Sequence, residues 1–520
     1  MDPTQSINTM HTENQVQVRV RFAPSPTGEL HIGGLRTALF NLLFARRHCG
    51  RAILRIDDTD RERSREEHLM SILESFSWLG LTFDEGPVQG GPYGPYRQSE
   101  RLALYRDVLD KLVAEGKAYP CYCSAETLEA SRKEQLKAGK TPRYAGTCRH
   151  LTPEEHAEKD KAGIRPVYRL KVDREEPLVV HDLIRGKVVF QPDQLDDFVI
   201  MKSDGTPTYH LASVIDDALM KITHILRAEE HLSNTPRHVL LFEALGTTPP
   251  QFAHVPMILA KDRSKLSKRH GATSVEAFRD LGYLPEALVN YSLLLGYAPP
   301  DDREHFHWEE LAKTFELDRV AKHPAVYDTD KLRWMNAYYM RTLPLERIFE
   351  EARPFLIKAG YVDRTFTSDD ERSLTLRRID AVRERVSTLL ELVDGLAYFY
   401  RPIQSYDEKG VRKHFSKPDV AAHLRRAARD LTALTVWDLD STERVFRQTI
   451  EDLGISGGAL IHPTRLAISG RTVGPGLFDI MVLLGKDETI KRMVEAADWI
   501  EAHSSGERHI SVEDDAPSSS

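Results

Sequence analysis

Two separated motifs carry residue types suited to ATP phosphates. The first is Pro24-Ser25-Pro26-Thr27-Gly28-Glu29-Leu30-His31-Ile32-Gly33-Gly34. Before it, Val16, Val18, Val20 and Phe22 alternate with Gln17, Arg19 and Arg21, the pattern of a half-buried strand. After it, from about Gly34, Leu39, Leu43 and Phe44 read as a helix. His31, Gly33 and Gly34 then lie at a strand-to-helix turn, where free N–H groups and the helix dipole favour an anion. Glycine lets backbone approach phosphate closely. The second motif, Lys265-Leu266-Ser267-Lys268-Arg269, follows the apolar run Phe252–Ala260, read as a buried strand. With Lys261 and Arg263 it forms a basic loop. Such a run alone is usually solvated surface. Paired with the first motif it reads as a mobile clamp, whose cations meet departing pyrophosphate only in the transition state.

Other positions suggest the second substrate. Arg21 ends the first strand, and Arg227 ends a strand over Ile222–Leu226. Ligands of open α/β sheets bind at such strand ends, and guanidinium forks suit carboxylates. A lone arginine there is more often a surface residue; two suggest a substrate with carboxylate groups. Asp57, ending the strand Ala52–Ile56, is placed to take an amino group.

The chain has 520 residues and a net charge of −8. That charge argues against a globally basic nucleic-acid binder but not against local phosphate-binding patches. No apolar stretch approaches the roughly 20 residues of a membrane span, so no membrane partner is expected. The four cysteines make no disulfide framework, which suits a reduced, cytoplasmic setting. Cys121-x-Cys123 and Cys148-x-His150 are a complete ligand set for tetrahedral Zn²⁺, or else buried thiols, the one-residue spacing being shorter than usual. A full set would make the metal structural. Cys49 reads as a packed residue.

Strand and helix alternate over 16–118, suggesting a doubly wound parallel sheet. The texture changes over 119–207, read as an insertion, and the α/β pattern resumes over 208–260 with Leu211–Ile215, Ile222–Leu226 and a helix at Arg237–Ala244. A loop-bearing segment, 261–343, and a helical half, 344–502, follow. The ends, 1–15 and 503–520, read as disordered extensions. The fold class is α/β: a Rossmann-type nucleotide-binding domain with an inserted domain, followed by an all-helical C-terminal half.

Arg21 to Gly28, His31 to Gly34, Arg55 to Asp60, Gly94 to Arg101, Lys202 to His210, Arg227 to Glu230, Lys265 to Arg269, Lys331 to Asn336 and Pro475 to Phe478 together resemble bacterial-type glutamyl-tRNA synthetases, a class I family. The resemblance covers roughly Val16 to Ala502. It implies ATP, with Mg²⁺, held by His31, Gly33, Gly34, Glu230 and Lys265, with His31 and Lys268 catalytic. It places Arg21, Ser25, Asp57, Tyr209 and Arg227 at glutamate. Some relatives carry the same Cys-x-Cys…Cys-x-His set, which implies one structural Zn²⁺. The insertion would hold the tRNA acceptor end and the helical half the anticodon, with Arg383 or Arg385, and Arg465, as candidate base readers among solvated arginines. The implied product is glutamyl-tRNA(Glu), with tRNA(Gln) a second candidate acceptor, made by a monomer.

Three positions depart from the commonest pattern: Gly34 where histidine can stand, Asp57 where many relatives have glutamate, and Ser213 where some have asparagine. Rivals are glutaminyl ligation, disfavoured by the helical half; a tRNA-independent modifying relative, which would lack that half; and a non-catalytic tRNA-binding protein, disfavoured by His31 and the Lys265 loop.

Overall fold

The computed structural model describes residues 17–506 apart from Arg61, Thr367 and the side chains of Lys268, Ser504 and Ser505. The expected extension 1–15 and residues 507–520 of the expected tail lie outside the described residues. By contacts, the chain divides into one unit of residues up to Asp280 with Pro285–Leu332, and a second of Leu281–Leu284 with the residues from Arg333.

In the first unit, β1 (Arg19–Phe22) leads through a loop into α1 (Ile32–Arg47), then β2 (Arg51–Leu54). β1 and β2 pair in parallel, from Arg19 opposite Arg51 to Phe22 opposite Leu54. β1 does not expose one face as its alternation suggests: Arg19 and Arg21 are buried along with Val20 and Phe22. Carboxylates make this tolerable, since an unpaired buried charge would be prohibitive. Arg19 pairs with Glu85 at 2.7 Å and Arg21 with Asp217 at 3.0 Å. α1 is buried around most of its circumference, with Leu35, Ala38, Leu39, Phe40, Leu42 and Leu43 all inaccessible, as befits a helix apolar on every side. α2 (Glu66–Trp78) and α3 (Leu102–Ala114) bury the stripes that their periodicity marks: Leu69, Ile72 and Phe76, then Tyr105, Leu109 and Leu112.

The inserted segment contains β3 (Ala118–Cys121), α4 (Ala125–Lys137), α5 (Pro153–Lys161), β4 (Val167–Leu170), β5 (Leu178–Asp182), β6 (Gly186–Phe190) and β7 (Val199–Met201). β3, β4 and β7 form an antiparallel sheet. α6 (Tyr209–Leu219), β8 (His224–Ala228), α7 (Thr235–Leu245) and β9 (Gln251–Val255) follow. The run Leu211–Ile215 is thus helical. The single strand expected over Phe252–Ala260 is broken at Pro256, which cannot donate to a ladder, and resumes as β10 (Ile258–Leu259). A four-stranded sheet has the order β6-β5-β9-β8, with β8 and β9 parallel. The β5–β6 hairpin of the insertion thereby joins the nucleotide-binding sheet, and Asp182 pairs with Phe252 of β9.

The second unit is helical, from Leu345–Ala359 through Asp369–Arg383, Leu389–Tyr400, Val420–Thr432 and later helices. Its last helix, Lys486–Gly506, continues past Ala502 into the expected tail. Among the described residues no helix is long and apolar enough to cross a membrane.

Candidate active site

The loop after β1 brings His31 to the N-cap of α1, where Nδ1 accepts a hydrogen bond from the Gly34 N–H at 3.0 Å. A capping role and a role toward phosphate are therefore compatible. Desolvation foremost lowers the pKa of His31, although the residue is exposed; Glu230 raises it, and Lys265 and Arg36 lower it. A ring neutral at pH 7 whose Nδ1 accepts carries its proton on Nε2, free to donate. The fit beside it is tight: a Cβ on Gly33 would lie 3.1 Å from both Cε1 and Nδ1 of His31, so the ring would have to shift.

Glu230, in the turn Glu229–Asn234 after β8, accepts from Lys265 Nζ at 2.7 Å. That hydrogen bond, foremost, holds the Glu230 pKa down. Both partners are exposed, and an exposed ion pair is weak enough to exchange for a ligand. The backbone of Lys268 begins the helical turn Lys268–His270; its side chain lies outside the described residues.

At the strand ends the expected glutamate ligands fall into two networks. Arg21 Nε and Nη2 donate to Asp217 at 3.0 and 3.4 Å. Asp217 also accepts from Arg55 Nη1 at 2.6 Å, and Arg55 donates to both oxygens of Asp57 and to Ser213 Oγ. Burial acts to raise the Asp217 pKa, but Arg21 and Arg55 outweigh it and hold it below the usual value. For Asp57 burial prevails over Arg55 and pushes it up to about 6. The second network surrounds Arg227, which is 4 % exposed. Its Nη1 donates to Tyr209 Oη at 3.3 Å and approaches His238 Nδ1 at 3.2 Å. Its Nη2 donates to Thr235 Oγ1 at 2.9 Å and to the His231 carbonyl at 3.2 Å. Its Nε donates to His254 Nε2 at 3.1 Å. Among the described residues no carboxylate pairs with it. Burial, with nearby arginines adding, lowers the pKa of His210 and His231 to about 4 and of His238 further. Arg227 is a buried cation among neutral groups. Ser25 stands exposed in the loop before His31.

A family model described as "tRNA synthetases class I (E and Q), catalytic domain" matches residues 17–334. The chain belongs to this family. An "Anticodon binding domain" model matches residues 347–497 of the same synthetase chain. A glutamate–tRNA ligase of Desulforudis audaxviator is 55 % identical over 94 % of this chain and 97 % of its own. One from Moorella thermoacetica is 53 % identical over 93 % and 99 %. The crystal structure of a glutamate tRNA ligase from Elizabethkingia meningosepticum, in complex with its amino acid, superposes with a TM-score of 0.84 at 34 % identity, covering 93 % of this chain and 100 % of that one.

In this synthetase the expected metal ligands only partly converge. The thiols of Cys121, Cys123 and Cys148 lie within 4.8 Å of one another. His150, exposed, stands outside that group. Tyr144 Oη lies 3.4 Å from Cys121 Sγ and 3.7 Å from Cys123 Sγ, and accepts from the Cys148 N–H at 2.9 Å. Three convergent thiols fit a soft divalent ion such as Zn²⁺.

The three candidate base readers differ in freedom. Arg383 Nη1 donates to the Leu343 carbonyl at 2.8 Å and its Nε pairs with Asp380. Arg465 Nη1 donates to the Pro475 carbonyl. Arg385 is exposed.

Sequence reasoning missed Arg55, Asp182, Asp217, Thr235, His238 and His254 as parts of the site. The available signal was charge inside apolar runs: Asp216 and Asp217 follow Leu211–Ile215, and His254 interrupts Phe252–Val255. A buried charge implies a partner, but the partner's identity lies elsewhere in the chain.

Proposed function

We propose that this synthetase activates glutamate with ATP and transfers it to the 3′-terminal adenosine of tRNA(Glu). The observation that carries the reading is Arg227, a buried cation that no carboxylate of the described residues pairs with, at the strand end where a substrate carboxylate would supply one. The glutamate ligases named among its relatives agree with it. One oxygen of the glutamate α-carboxylate attacks the α-phosphorus of ATP, and the bond to the leaving pyrophosphate breaks. Mg²⁺ enters with ATP as part of that substrate and neutralises phosphate oxygens. His31 Nε2–H and the lysines of the 265–269 loop face the developing charge, and Lys265 would leave Glu230 to do so. A ribose hydroxyl of the tRNA then attacks the adenylate carbonyl carbon, and AMP departs. Positioning and electrostatics suffice, and no side chain acts as a nucleophile. We place this chemistry in the cytoplasm. The direct test charges purified tRNA(Glu) and tRNA(Gln) with labelled glutamate or glutamine. Glutamyl-tRNA is expected; glutaminyl-tRNA formed in its place would overturn the reading.

Arg385 fits the role of anticodon reader better than Arg383, whose guanidinium is already engaged with backbone. Arg385→Ala is expected to raise the KM for tRNA about tenfold, the cost of one base contact, with activation kinetics unchanged. Arg383→Ala should instead act on stability. Equal tRNA KM values for Arg385→Ala and the parent would remove Arg385 from the interface.

Cys121, Cys123 and Cys148, with His150 as the expected fourth ligand, would hold a structural Zn²⁺ that orders the insertion. Cys148→Ser is expected to lower bound zinc well below one ion per chain and to weaken tRNA charging, with ATP binding retained. Metal analysis of freshly purified parent and variant decides this; a metal-free parent would make these ordinary buried thiols.

A further inference from the structure

The contacts behind Arg227 extend the site beyond residues that a substrate could touch. His254, on β9, is wholly buried, and so is Asp182, the last residue of β5. Asp182 Oδ2 lies 2.6 Å from His254 Nδ1. The other oxygen, Oδ1, accepts three backbone N–H groups: Arg185 at 2.8 Å, Ile184 at 3.0 Å and His254 at 3.2 Å. On the far side of the ring, Nε2 faces Arg227 Nε at 3.1 Å and the Thr235 hydroxyl at 3.3 Å.

Only one proton arrangement satisfies this line. Arginine can only donate, so His254 Nε2 must offer its lone pair. The proton of the neutral ring is then on Nδ1, donated to Asp182. Burial keeps the ring neutral: it lowers the His254 pKa, and Arg227 adds to the lowering against the opposing pull of Asp182.

We infer that Asp182 and His254 are positioning residues for Arg227, and that through it they set the preference for a carboxylate-bearing substrate over its amide. This rests on the glutamate reading above. Asp182 selects the His254 tautomer, the tautomer fixes the Nε edge of the guanidinium, and the Nη edges are left to the neutral acceptors Tyr209, His238, Thr235 and the His231 carbonyl, from which a substrate carboxylate would draw them. The charge arrangement also matters. Asp182 balances Arg227 through a neutral ring instead of pairing with it directly, so the guanidinium keeps no carboxylate of its own. A substrate carboxylate completes the pair; a substrate amide leaves the cation buried and uncompensated.

Asp182→Asn tests this sharply. The asparagine carbonyl oxygen must turn to the three backbone N–H groups, so its NH₂ faces His254 Nδ1. The ring then carries its proton on Nε2, and two donors confront each other at Arg227. The expected result is a glutamate KM raised by about tenfold or more, with kcat at saturation and the ATP KM little changed, and a similar loss of discrimination against glutamine. A merely structural lesion would lower kcat and ATP affinity together. His254→Gln and His254→Leu supply a second reading should Asp182→Asn fold poorly. Glutamine can give its carbonyl oxygen to Arg227 and its NH₂ to Asp182, so its glutamate KM should stay near the parent's, while leucine should raise it as Asp182→Asn does. Parent-like glutamate KM and discrimination in Asp182→Asn or in His254→Leu overturns the inference. A parent that forms no glutamyl-tRNA defeats the glutamate reading itself; a parent that forms it while these variants match it defeats only this inference.

Discussion

Lys268→Ala lowers the rate of glutamate activation by about 10²-fold or more and leaves the glutamate KM near its parent value. The expectation follows from placement. Lys268 opens the turn Lys268–His270, on the same loop as Lys265, whose amine meets Glu230. A cation on such a loop meets little charge until the bond to pyrophosphate lengthens, so its removal should raise the barrier and not the ground state. On the proposed reading glutamate lies against other elements, the ends of β1, β2 and β8, so its KM should be insensitive to the change. Rapid-quench measurement of adenylate formation at saturating ATP and glutamate reads the chemical step directly. An unchanged rate would reduce the loop to a solvated basic turn.

Arg227→Ala should lower kcat/KM for glutamate by roughly 10²- to 10³-fold, the consequence of burying a carboxylate without its partner, about 3–5 kcal/mol. Arg227 is 4 % exposed, and the neighbouring Arg21 is already bound to Asp217. Glutamine, with no side-chain charge to neutralise, should lose much less, so the ratio of the two specificity constants should collapse. Arg227→Lys should not restore it: an ammonium offers three rotating donors in place of the planar fork that Tyr209, Thr235, His254 and the His231 carbonyl hold. Competition between labelled glutamate and unlabelled glutamine gives the ratio in one experiment. Undiminished discrimination would mean that Arg227 is not the ligand of the side-chain carboxylate.

Much of the chemistry was legible in the order of residues. The turn bearing His31, Gly33 and Gly34 is local, and a strand-to-helix turn exposes its N–H groups wherever it occurs. The stripes of α2 and α3, the helical second unit and the basic loop at Lys265 are likewise matters of short-range periodicity and composition. The same reading erred where a residue's surroundings come from far along the chain. The alternation before Phe22 suggested an exposed face, yet Arg21 is buried because Asp217 neutralises it. Leu211–Ile215 is apolar enough for a strand, but it is a helix whose buried face carries Asp216 and Asp217 into the core.

By itself the sequence determined the family and, through it, the reaction class, and it marked His31, Gly33 and Gly34 as candidates for phosphate, because that role needs only a side-chain type on a local turn. Only the tertiary structure decided how Arg21, Asp57 and Arg227 are held. Their partners Asp217, Arg55 and His254 reach them from α6, β2–loop and β9 positions, and Asp182 arrives from an inserted hairpin that pairs with the nucleotide-binding sheet. Charge burial is a property of a place, not of a segment. Which arginine is tied to a carboxylate, and which is left waiting for one, is settled only when those strands lie side by side.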